Sequence, residues 1–127
     1  MFFNSLHVYA WLVGILWGTT NSLVKRGALV AEAKTLSRRG SSGKLDAIID
    51  HVTTPAFVVP QLLNQVGSGL FIYLLGISDI TVVVPAANAI SVLCNALADV
   101  LLGESYNIFY LLSGLVLLFG GVILCGL

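Results

Sequence analysis

The stretch YNIFYLLSGLVLLFGGVILCG, residues 106–126, decides the fold. Crossing the hydrocarbon of a bilayer takes about 20 mostly apolar residues in a helix, and this run is long and continuous enough to do so. Working backward along the chain, Ile80 to Leu102, Val52 to Leu75 and Leu6 to Val24 meet the same test. The turns Gly76-Ile77-Ser78-Asp79 and Gly103-Glu104-Ser105 are short, so spans 2, 3 and 4 are antiparallel neighbours and are expected to form a compact up-down bundle. The apolar runs are continuous and do not alternate, which excludes a transmembrane β-barrel. The predicted fold is an all-α membrane protein, a four-transmembrane-helix bundle in one domain over 1–127. Its spans are at about 6–24, 52–75, 80–102 and 106–126, with a basic loop at 25–51.

Composition agrees. The chain is 57% hydrophobic and 9% charged, against roughly 25% charged residues in a soluble domain. A chain of 127 residues has too little interior to hide that much apolar surface; lipid is the expected partner. The net charge is zero, so no basic excess points to nucleic acid. Cys94 and Cys125 lie in apolar runs without CxxC or Cys/His spacing and read as small hydrophobes. The first residues lack the positive n-region of a secretory signal, so an uncleaved first membrane helix is expected.

All six Lys and Arg residues fall between spans 1 and 2: Lys25, Arg26, Lys34, Arg38, Arg39 and Lys44. The positive-inside rule places that loop in the cytoplasm and both termini on the other side. Within it, Ala28 to Leu36 reads as a short amphipathic helix, Arg38 to Gly43 as a flexible connection, and Lys44 to Asp50 as a helix restarting toward span 2. The basic residues act first as a topology signal, with anionic headgroups as a second role. His51 reads as interfacial, and its distance from His7 at the opposite face argues against a shared metal site.

Polar side chains inside apolar spans are costly, so their angular distribution carries information. In span 2, Gln61, Asn64, Gln65 and Ser68 share one narrow helical face; in span 3, Asn88, Ser91, Asn95 and Asp99 do the same. In span 1, Gly14, Trp17, Gly18 and Asn21 form a face leading to Lys25. Pro60 and Pro85 each free a backbone carbonyl one turn upstream, just before the polar stripes. Such irregular backbone is tolerated at membrane depth where it lines a buried or water-filled site. Span 4 carries Ser113, Gly114, Gly120 and Gly121, small residues that let another backbone approach closely, within the monomer or across a homodimer.

Two readings of the seams stand side by side. Interhelical amide clamps, each contributing about 0.6–2 kcal/mol, explain any single Asn or Gln without a substrate. The alignment of three seams, the two inner prolines and Asp99 point instead to a lined site. Asp99 is either a proton-switchable carboxyl or a partner of Lys25 or Arg26, and the pairing is favoured because the three share a depth. Asp79 and Glu104 read as turn and cap residues. There is no GxSxG, no HExxH and no phosphate-binding glycine loop, so neither an enzyme nor a cofactor is expected.

Several motifs carry a family resemblance: Trp17-Gly18-Thr19-Thr20-Asn21 with Lys25-Arg26-Gly27, then Pro60-Gln61-Leu62-Leu63-Asn64-Gln65-Val66-Gly67-Ser68. Asp79, Val84-Pro85-Ala86-Ala87-Asn88 and Leu102-Gly103-Glu104 complete the set. They resemble the transmembrane protein 234 family, and more loosely the drug/metabolite transporter (EamA-like) superfamily. Pro85 through Glu104, followed by a glycine-rich helix, is similar to the end of an EamA-like repeat. The resemblance implies half of an EamA-like transporter, or a small multidrug resistance fold. That branch carries a glutamate in span 1, where this chain has Asn21, which argues against proton-coupled drug export. The one-sided basic loop argues against an antiparallel dimer.

These features lead to one expectation and one rival. The first is a small-molecule transporter-like membrane protein, dimeric, whose substrate-binding residues are Asn21, Gln61, Asn64, Gln65, Ser68, Asn88, Asn95 and Asp99. The rival is a non-transporting scaffold or accessory subunit of a membrane complex.

Overall fold

In a computed structural model the backbone is described for residues 2–38 and 43–126, and side chains for 8–38 and 43–125. Five helices follow in order: α1 (Phe2–Ser37), α2 (Lys44–Thr53), α3 (Pro55–Ile77), α4 (Ile80–Leu101) and α5 (Ile108–Gly126). The expected flexible connection falls largely on residues 39–42, outside the described residues.

The first span does not end where its apolar run ends. α1 is 36 residues long, about 54 Å at 1.5 Å per residue, and it continues through Lys25 and Arg26 to Ser37. The expected separate helix over Ala28 to Leu36 is therefore the second half of α1. Ala28-Leu29-Val30-Ala31-Glu32-Ala33-Lys34 contains no breaker and is rich in strong helix formers, so the helix propagates past the charge boundary.

The next break has a local cause. Thr54 is extended, at φ −95° and ψ 108°, because the ring of Pro55 disfavours a helical residue before it. Pro55 then opens α3 at the position where its missing N–H is harmless. Asp79 caps α4, accepting from the Thr81 N–H at 3.0 Å. α4 ends in a Schellman turn: Gly103, at φ 92°, donates to the Val100 carbonyl at 3.0 Å, and Glu104 donates to that of Asp99 at 2.9 Å.

Among the described residues, three helices are long and apolar enough to cross a membrane: α3, α4 and α5. α1 is not among them, since Thr19-Thr20-Asn21-Ser22 and the charged second half dilute its apolar half.

The packing differs from a compact bundle of spans 2, 3 and 4. α1 is the hub: α3 and α4 each pack along it, they barely touch each other, and among the described residues α5 touches only α4. Glycines select these contacts. A Cβ on Gly14 would lie 2.6 Å from Ile90 Cβ, and one on Gly18 would lie 2.5 Å from both Cys94 Cβ and the Ser91 carbonyl oxygen. Gly67 admits the Trp17 ring on the α3 side. Short turns make chain neighbours, but small residues decide which backbones can meet. By contrast, a Cβ at Gly114, Gly120 or Gly121 would meet nothing within 4 Å, and no residue from Ile108 to Cys125 is buried.

Candidate functional site

The contact order sets helix directions. Gly14 meets Ile90, Gly18 meets Ser91 and Cys94, and Ser22 meets Asn95, so α4 runs parallel to α1. Trp17 meets Gly67 and Asn64 while Gly27 meets Ala56, so α3 runs antiparallel. Gly27 sits against the Ala56 carbonyl, the group that Pro60 leaves without its helical N–H.

Asn64 is the centre of the α1–α3 seam. Its Nδ2 donates to Thr20 Oγ1 at 2.9 Å and to Asn21 Oδ1 at 3.0 Å. Its carbonyl accepts from the Trp17 indole N–H and from the Ser68 hydroxyl, both at 3.3 Å. The Trp17 ring also packs against Phe71, with centroids 4.9 Å apart. On the other flank of α1, Ser22 Oγ donates to Asn95 Oδ1 at 2.9 Å and lies 3.1 Å from the Asn95 carbonyl oxygen.

Charged groups gather where α1 passes the end of α4. Asp99 is 4% exposed and accepts from the Tyr106 hydroxyl. Lys25 pairs with Glu104 at 3.0 Å, and Arg26 donates to the Leu102 carbonyl. Asp99 thus forms no direct ion pair with Lys25 or Arg26, although both cations lie near enough to act on its charge. Arg26 is drawn to the unsatisfied carbonyls and negative end of α4, and the Schellman turn brings Glu104 to Lys25.

Helical geometry shows how the seams relate. At about 100° per residue, the side of α4 facing α1 carries Ala87, Ile90, Ser91 and Cys94. Ala89 and Ala96 are buried on the opposite side, the flank left for α5. Asn88, Asn95 and Asp99 occupy one arc between the two. On α3, Asn64, Gly67 and Phe71 face α1, and Gln61, Gln65 and Ser68 are rotated to one side of them. With α4 parallel and α3 antiparallel to α1, both arcs turn toward the same side of the hub. There α1 presents Trp17 and Asn21. The result is a groove with α1 as its floor, α3 and α4 as its walls, and the Lys25–Glu104 pair near one end.

The eight residues fall into two groups. Asn21, Asn64, Ser68, Asn95 and Asp99 are joined by hydrogen bonds to side chains or backbone around the hub. Gln61 is half-buried, while Gln65 and Asn88 are exposed on the groove walls. Thr20, Ser22 and Tyr106 hold the seams together but lie outside the predicted set. Thr20 and Ser22 flank Asn21 in sequence, and their hydroxyls were legible as helix-spaced partners for the amides. Tyr106 reaches Asp99 only because the chain reverses at Gly103.

A second polar cluster lies outside the apolar spans. Asp50 of α2 has a fully buried side chain, accepting from Thr35 Oγ1 at 3.0 Å and facing Arg38 at 3.2 Å and Lys34 at 3.4 Å. Burial pushes its carboxyl pKa up, but the Thr35 hydrogen bond, Arg38 and Lys34 together bring it below the usual carboxylate value. Oδ1, facing both cations, has no well-formed hydrogen bond, so charge rather than geometry holds it. His51 is half-buried, bonded through Nδ1 to the Ala47 carbonyl at 2.8 Å and edge-on to Phe57. The side chain of His7 lies outside the described residues.

Residues 11–126 match the model of the family described as "Putative transmembrane family 234". The chain is 36% identical over 118 residues to the Transmembrane protein 234 homolog of Dictyostelium discoideum, covering 90% of this chain and 88% of that one. It is 31% identical over 117 residues to the Transmembrane protein 234 homolog of Anopheles gambiae, covering 91% and 82%. No solved structure matches.

Proposed function

The chain belongs to the transmembrane protein 234 family of membrane proteins, and on that footing we propose that it moves small polar molecules across its membrane through the groove on α1. One observation carries this reading: the polar arcs of α3 and α4 turn to the same side of α1 and leave Gln65 and Asn88 exposed among lipid-facing helices. Unpaired amides at that depth are costly and call for a ligand, water or a partner. In this reading α1 is a fourth span, its Thr-Asn-Ser segment being tolerated because it faces protein on both sides. The basic second half of α1 and α2 lie in the cytoplasm, with both termini on the opposite side. The resemblance of Pro85 through Glu104 to the end of an EamA-like repeat is in keeping with this function, and the one-sided basic loop with a parallel homodimer, its second copy resting on Ser113, Gly114, Gly120 and Gly121. The substrate-binding residues are Asn21, Gln61, Asn64, Gln65, Ser68, Asn88, Asn95 and Asp99.

The test is transbilayer movement in proteoliposomes of a mixed pool of polar metabolites and lipids, read by mass spectrometry of the outer medium and outer leaflet. Wild-type protein should move at least one component, and Asn64→Leu with Asn88→Leu should abolish that movement. No movement, or movement unaffected by the two substitutions, contradicts the reading.

A second reading is favoured by a different observation, the open face of α5, which among the described residues touches only α4. A scaffold or accessory subunit would use that face for a partner. The same substitutions would then lower stability or partner retention, with no flux to lose.

A further inference from the structure

We propose that what the groove carries is the headgroup of an amphiphile, whose hydrocarbon tail stays in the bilayer while the headgroup travels along α1. This rests on the transport reading and narrows it to a substrate class.

Three features lead to it. First, the groove is open along its side. α3 and α4 share a buried cluster with α1 only around Leu74, Val83 and Ala87 and otherwise barely touch, and α5 packs on α4 alone among the described residues. A water-soluble solute in such a groove would face acyl chains along its whole length and lose hydration without replacement. An amphiphile presents only its polar end to the groove and leaves its tail where it already is.

Second, the polar groups form a track rather than a single cage. Asn88 and Asn95 are seven residues apart on α4, about 10 Å of helix rise, and Gln61 and Gln65 lie along the opposite wall. Exposed Asn21 contributes from the floor. A headgroup can therefore exchange one amide for the next instead of leaving all its partners at once.

Third, the charges at the groove's end balance among its described residues. Lys25 is paired with Glu104, and the Arg26 cation, seated on the Leu102 carbonyl, offsets the nearby Asp99 carboxylate, which accepts from the Tyr106 hydroxyl. What is left is amide and hydroxyl, each able to donate and accept. That chemistry fits an uncharged headgroup bearing hydroxyls or amides and disfavours one with net charge, which would enter the membrane without a counter-ion.

The experiment places full-length protein in vesicles containing glucosylceramide with a nitrobenzoxadiazole-labelled tail, and adds dithionite, which bleaches only outer-leaflet label. With wild-type protein, bleaching should proceed beyond the outer-leaflet half toward completion; Gln65→Leu with Asn88→Leu should lose that gain. Both positions are exposed, so folding is retained, which circular dichroism checks. Labelled phosphatidylserine in parallel vesicles should stay at the outer-leaflet half, and equal bleaching of it would overturn the headgroup assignment. Bleaching confined to the outer half while polar metabolites still move would overturn the lipid assignment and leave the transport reading standing. If neither probe nor metabolites move, both fail.

Discussion

Adding one methyl group at Gly18 should destabilise this protein, while adding the same group at Gly114 should not. At Gly18 the new Cβ would lie 2.5 Å from Cys94 Cβ, 2.5 Å from the Ser91 carbonyl oxygen and 2.8 Å from the Asn95 nitrogen. Carbon atoms rest at about 3.5–4.0 Å, so α1 and α4 must separate by roughly 1 Å. Two of the three obstacles are backbone atoms, which cannot rotate away. Overpacking of this kind costs about 1–3 kcal/mol. The helix itself gains about 0.8–1 kcal/mol when Gly becomes Ala, so the net loss is up to about 2 kcal/mol, at the upper end because backbone atoms block the methyl. At Gly114 nothing lies within 4 Å, and only the helix gain, at most about 1 kcal/mol, applies to the monomer. The two substitutions therefore differ in sign, which removes most systematic error. Reversible unfolding in bicelles, with stability read by steric trapping, measures both. A Gly18→Ala variant as stable as wild type would refute α1 as the close-packed hub.

Other outcomes follow from the same contacts. Asn64→Leu removes two interhelical hydrogen bonds and should cost about 1–3 kcal/mol by the same unfolding assay. Tyr106→Phe leaves a buried Asp99 oxygen without its donor and should cost about 1–3 kcal/mol, whereas Lys25→Ala, breaking a half-exposed ion pair, should change stability by less than about 1 kcal/mol. Asp50 has a folded pKa below its ordinary value of 3.8. The unfolded chain therefore binds its proton first, and the stabilisation is complete above that ordinary value and lost as pH falls through the folded pKa. Asp50→Asn should remove that acid-side dependence from a pH-resolved melting series.

Much of the backbone was legible in the residues. The apolar runs place α3, α4 and α5 within a few residues, and Pro55 marks the start of α3 because its ring acts locally. The extent of α1 was not, since six basic residues signal a change of solvent and say nothing about whether the helix stops. Nor was the hub. Short turns imply that spans 2, 3 and 4 pack together, but Gly14, Gly18 and Gly67 make α1 the helix that others can approach. Periodicity alone places Gln61, Gln65 and Asn88 on polar faces; the side to which those faces turn depends on helix direction, which appears only in three dimensions. Asp50 was hidden for a similar reason. Its partner Thr35 lies on a segment that read as a separate amphipathic helix, and Arg38, just past the end of α1, on one that read as a flexible connection.

The central claim, that the polar arcs of α3 and α4 share one groove, is tested most directly by cysteine accessibility. In a Cys94→Ala, Cys125→Ala background, Gln65→Cys and Asn88→Cys should react with a membrane-impermeant maleimide. Val66→Cys and Leu117→Cys, also exposed but away from the groove, should stay unlabelled. Gln65→Cys and Asn88→Cys as unreactive as Leu117→Cys would contradict it.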